Sequence, residues 1–179
     1  MESITIGFSR PQGGFQPFSW LIRLAYWSPF SHAYLRYEIP EVGTVIFQAS
    51  GLKVNLIGQT LFDSKEDIYA EFSLPISAEE KAKLIKFTVS QLGQPYNVVG
   101  IFGMAWVRLG QLLGQKWHSP FNYTGSSAFC SEIIAQILES YENISLGDVA
   151  DDSPQAVYQI LVMNKLSSSV PSQKSGSDT

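Results

Sequence analysis

The chain has 179 residues, a formal charge of −4 and only 16% charged residues against 45% hydrophobic ones. That length suits one domain, and 11 Phe, 8 Tyr and 4 Trp exclude disorder over most of it. The acidic balance argues against a broad electrostatic grip on nucleic acid, and a single Cys excludes an internal disulfide and a Cys-rich zinc site.

In chain order, Met1 to Phe8 lacks a basic leader, so it does not read as a signal peptide, and Ile4–Phe8 reads as a strand. Phe18 to Trp27 has the apolar spacing of a helix at Leu21, Ile22, Leu24 and Ala25. Ser31–Glu38 and Thr44–Ser50, both rich in aromatic and β-branched residues, flank a turn at Pro40-Glu41-Val42-Gly43 and predict a hairpin. Further strands are expected at Leu52–Ile57 and Ile68–Leu74. Ser77 to Glu80 has capping-box spacing and opens a helix to about Leu92, which Gly93-Gln94-Pro95 ends.

A second helix is expected from Val98 to Leu113, a third from Ser127 to about Tyr141, and a short fourth from Asp152-Ser153-Pro154. The run from Val98 contains Arg108 and Gln111 and falls short of the roughly 18 apolar residues that a spanning helix needs. The expected location is therefore the cytoplasm, with export that needs no signal peptide left open. Residues 166–179 form a Ser-rich tail with little to bury and are expected to be disordered, which leaves 1–165 as the domain. Strands first and helices later predict an α+β class, an antiparallel sheet with helices packed on one side.

One Cys and two His make the search for chemistry short. With Ser127 as N-cap, Cys130 falls in the first turn of its helix. Unpaired backbone N–H groups and the helix dipole there favour the thiolate. The same spacing puts Cys130 on one helix face with Ile134 and Ile137, as a buried core thiol would be. His32 shares a strand face with Tyr34, Arg36 and Glu38, and Gln48 shares one with Thr44, Ile46 and Ser50. A hairpin centred on residue 40 pairs 38 with 42 and 32 with 48, so His32 and Gln48 should be direct cross-strand neighbours. Gln48 could then accept from Nδ1–H and leave Nε2 to take a proton from a thiol. The alternative is a half-buried His satisfied by a backbone carbonyl. His118, in Lys116-Trp117-His118-Ser119-Pro120, is the fallback base. No phosphate loop, dinucleotide fingerprint or serine elbow occurs, and neither a cofactor nor a metal is expected.

Four short segments occur together: Ser31-His32-Ala33, Ile46-Phe47-Gln48-Ala49, Gly93-Gln94-Pro95-Tyr96-Asn97 and Phe129-Cys130-Ser131-Glu132. In that order they resemble the circularly permuted NlpC-type papain-like cysteine hydrolases, YiiX-like branch, whose pattern runs "SHv", "ieA", "G-x-P-Y-[DN]" and "FCSE". The resemblance spans roughly residues 3 to 140. It implies a permuted papain-like fold and a site of Cys130 as nucleophile, His32 as base and Gln48 as third polar member. It also implies hydrolysis of amide or peptide bonds, cell-wall peptides among them, with lipid-type acyl substrates as a variant. Gln48 stands where the family often has an acid, and a neutral amide stabilises imidazolium less than a carboxylate does. Tyr96 is either a hydroxyl on the site wall or a core aromatic. A binding module of the same fold without turnover is the second expectation. A third, not favoured, is an acyl carrier or acyltransferase at a membrane surface, which the apolar run from Val98 to Trp106 suggests. Oligomeric state is not legible.

Overall fold

A computed structural model describes residues 2–13, 16–50, 53–95, 98–118, 134, 137, 138, 154–164 and 168–169. The fold is α+β. Five antiparallel strands lie in the order β4-β3-β2-β1-β5, namely β1 (Glu2–Pro11), β2 (His32–Ile39), β3 (Gly43–Ser50), β4 (Lys53–Gly58) and β5 (Glu66–Ile76). A two-residue β6 (Ser168–Ser169) pairs with Phe72 and Glu71 on the outer edge of β5. The other residues of the Ser-rich tail lie outside the described residues. The first strand is central, hydrogen-bonded to β2 on one side and β5 on the other.

Alternation along these strands divides the sheet into two faces. Ile4, Ile6 and Phe8 of β1, Ala33, Leu35 and Tyr37 of β2, Phe47 of β3 and Phe72 and Leu74 of β5 make the larger core. Against them pack Leu84 of α3 (Ala78–Gln91), Val157 and Leu161 of α5 (Pro154–Met163), and Ile134, Ile137 and Leu138. Phe8, Phe30, Phe72 and Tyr158 add a ring cluster with centroids 4.9–6.1 Å apart. The opposite face is not bare, contrary to the expectation of helices on one side. The five-residue α2 (Gln59–Asp63) buries Phe62 there against Tyr34 and Ile46.

The capping box forms as the spacing predicts. Ser77 Oγ accepts from Glu80 N at 3.2 Å, and Ser77 N donates to the Glu80 carboxylate at 2.9 Å. The Ser77 hydroxyl, which donates to Glu80 Oε2 at 2.6 Å, and then the Ser77 N–H hold the Glu80 carboxyl below the usual carboxylate range. A group whose folded pKa is lowered contributes fully above its unfolded value and loses that contribution as pH falls through the folded one. Ser77→Ala should therefore lower the urea midpoint at neutral pH, and the difference from wild type should shrink in acid below the lowered Glu80 pKa. A difference independent of pH would mean that the carboxylate arm of the box contributes nothing.

Between α3 and α4 (Val98–Leu112), residues 93–95 lie along the outer edge of β4. Gly93, at φ +81°, turns it out of the helix. Gly93 N then donates to Val54 O, Val54 N donates to Gln94 O, both at 2.9 Å, and Pro95 bridges Lys53. Only glycine adopts that backbone angle without strain. The apolar helix α1 (Pro17–Tyr26) packs against α4, with the Arg108 guanidinium 5.4 Å from the centre of the Tyr26 ring.

Candidate functional site

Antiparallel pairing brings the start of β2, the end of β3 and the start of β4 to one end of the sheet. His32 is the first residue of β2, and Gln48 is two residues from the end of β3. Both are buried, at 8% and 5% exposure, and His32 Nε2 lies 2.8 Å from Gln48 Oε1. The pairing inferred from residue types therefore exists, but its register differs. Tyr34, not His32, is opposite Gln48, and Ile39 pairs with Gly43. The hairpin loop is Pro40-Glu41-Val42, with Glu41 at φ 67°. It is centred one residue later than expected, which moves every pairing by two. A shift of two keeps parity, so His32 and Gln48 stay on one face as diagonal neighbours within reach of a long side chain.

That offset bears on the chemistry. Gln48 arrives across the diagonal at the outer ring nitrogen. With Oε1 as acceptor, Nε2 carries the proton and Nδ1 is the nitrogen able to accept one. The expected roles of the two nitrogens are thus exchanged.

The surroundings are polar. Ser9 is the β1 partner of His32, and its hydroxyl donates to Glu66 Oε2 at 2.8 Å. Ser31, next to His32, shares a 2.6 Å hydroxyl–hydroxyl bond with Ser19 of α1, and its N–H donates to Ser9 O at 3.1 Å. Asn55 is opposite Gln48 on β4. It donates to Ser50 Oγ at 3.2 Å, while its own Oδ1 is buried without a hydrogen-bond partner among the described residues.

A second cluster on the same face escaped the reading of residue types. Tyr34, fully buried, donates its hydroxyl to Glu71 Oε1 at 2.7 Å, and Arg36 Nη2 lies 3.0 Å from the same oxygen. Asp63 is 3.6 Å from that guanidinium nitrogen. Burial first, then the Glu71 charge, pushes the Tyr34 phenol well above its ordinary pKa, so it stays a donor. The available signal was Glu71 itself, an acid between the apolar Ala70 and Phe72. Its partner 37 positions away could not be read from the chain.

Cys130 and Tyr96 lie outside the described residues. His118 is exposed in the segment after α4. Among the described residues no group of three His, Cys, Asp or Glu could hold a metal ion, and no helix is long and apolar enough to cross a membrane. No known family model matches the chain, and no curated protein matches it either.

Proposed function

We propose that the chain is a thiol-dependent hydrolase of permuted papain-like type, acting on an amide, peptide or related acyl bond. The observation that carries this reading is the buried 2.8 Å contact between His32 Nε2 and Gln48 Oε1. An imidazole whose one nitrogen is tied to a neutral acceptor presents the other as a base in a fixed tautomer. In the proposed reaction His32 Nδ1 takes the proton of the Cys130 thiol and the sulfur attacks the carbonyl carbon. His32 then protonates the leaving group, and water cleaves the resulting thioester. Backbone N–H groups at the start of the Cys130 helix would hold the oxyanion. The common placement of His32, Gln48 and Gly93–Pro95 at one end of the sheet supports the resemblance, because three of its four segments converge there.

A second reading is a binding module of the same fold, and one observation favours it. Ile134, Ile137 and Leu138 pack on the sheet face of Leu35 and Phe47, whereas His32 alternates with Ala33 onto the other face. Catalysis therefore requires Cys130, four residues before Ile134, to reach His32 around the end of the sheet.

Thiol reactivity separates the two. Cys130 is the only thiol, so alkylation of the native protein reports it alone. With His32 beside it, the rate should remain substantial at about pH 6–7, below the ordinary thiol pKa of about 8.5. His32→Ala should move that profile to higher pH. A thiol that alkylates only after unfolding is a core residue, and the hydrolase reading then fails.

A further inference from the structure

All four tryptophans of the chain lie on α1, on α4 or within a few residues of their ends: Trp20, Trp27, Trp106 and Trp117. A tryptophan placed for core packing turns inward, but these do not. On α1, Trp20 and Leu24 are 54% and 47% exposed and Trp27, just past the helix, is 77% exposed. They fall at i, i+4 and i+7 on one stripe, with Ile22 buried on the far side. Trp106 and Leu109 of α4 and Leu113, just past its end, fall at i, i+3 and i+7, and all are exposed. Trp117 folds back to stack on Trp106 at 4.6 Å. It lies so close over Gly110 that a Cβ there would come 2.6 Å from its ring, so a glycine permits this platform. The two helices pack together.

Along the sequence, the charge in and beside these helices has one sign. No Asp or Glu occurs between Glu2 and Glu38, or between Glu80 and Glu132, in a chain whose net charge is −4. The cations in and beside the two helices are Arg23, Arg108 and the exposed Lys116. An apolar face rich in Trp and Leu, flanked by Arg and Lys and cleared of acids, is what the interface of an anionic bilayer attracts. Indole rings settle at the headgroup level and cations pair with lipid phosphates and carboxylates. Helices of 10 and 15 residues rise only about 15 and 22 Å, short of the roughly 30 Å hydrocarbon core, so this face would lie on a membrane and not span it.

We infer that the α1–α4 face docks onto an anionic lipid surface. This goes beyond the hydrolase reading and stands without it, because no residue of the His32 site takes part.

The test is flotation of the full chain with vesicles of phosphatidylcholine alone and of phosphatidylcholine and phosphatidylserine at two to one. The expected result is binding to the mixed vesicles, weak binding to the neutral ones, and release by high salt. The fluorescence of the tryptophans should shift to the blue on binding. Trp20→Ser with Trp27→Ser should lower partitioning about tenfold or more, and the exposure of both side chains should leave the urea midpoint unchanged. Lys116→Glu should lower binding to the mixed vesicles by about tenfold and leave binding to neutral vesicles as it was. Absence of binding to mixed vesicles overturns the inference, as does equal, salt-independent binding to both kinds. A dimer that Trp27→Ser dissociates, in a protein that ignores vesicles, would assign the face to a second copy of the chain and overturn it equally.

Discussion

His32→Ala should slow turnover of an amide, peptide or thioester substrate by about 10²–10⁴-fold, the usual range for loss of general-base help. Cys130→Ala should remove turnover altogether, since no other thiol can form the acyl intermediate. Gln48→Ala should cost less than either, because it releases the ring from its 2.8 Å acceptor without removing the base. Gln48→Glu is the informative variant. A carboxylate at that distance from Nε2 stabilises the imidazolium formed when the thiol loses its proton, so activity should be retained or raised. At a position only 5% exposed, the carboxylate is tolerated only while the imidazolium pairs with it. Unpaired, it would cost several kcal/mol. The measurement is turnover of a panel of peptide, amide and thioester substrates, with unfolding midpoints for each variant. If wild type turns over none of them, Gln48→Glu gains nothing, and Cys130→Ala binds the same partners as wild type, the binding-module reading replaces the hydrolase.

Short-range pattern carried much of this structure. Alternation along Ser31–Glu38 and Thr44–Ser50 was enough to place His32 and Gln48 on one face, because only parity matters and parity survived the two-residue shift. The register itself was not legible. It depends on Glu41 and Gly43 taking positive φ, which keeps Ile39 in the strand and puts Pro40 at the first loop position. Ser77 and Glu80 announced their cap because both partners lie within one turn. Helix α2 is too short for any periodicity to show. Without it nothing in the sequence said that Phe62 would cover the face bearing Tyr34. The pairing of β1 with β5 spans 70 positions, from Ile4 to Leu74, and together with the pairing of β1 with β2 it brings Glu71 to Tyr34 across Gly7.

The meeting of Gly7 with Tyr34 yields the largest stability effect expected from a single methyl group. Gly7 is the cross-strand partner of Tyr34, and the phenol ring lies directly over it, in the space a Cβ would fill. Gly7→Ala must push a fully buried ring aside. The displaced hydroxyl then leaves Glu71, an acid held by Tyr34 and Arg36. Overpacking costs about 1–3 kcal/mol and the lost phenol hydrogen bond to a buried carboxylate about 1–3 more, so a loss of about 2–6 kcal/mol is expected in urea unfolding at neutral pH. Tyr34→Phe should cost only about 1–2 kcal/mol, because the ring still fills its place and Arg36 still pairs with Glu71. The ring explanation is tested by repeating Gly7→Ala in a Tyr34→Leu background. There the methyl group meets no ring, and its cost should fall to about 1 kcal/mol or less, so that the rest of the loss appears as coupling energy between the two positions. An equal cost in both backgrounds would locate the need for glycine in the backbone of β1 and not beneath Tyr34.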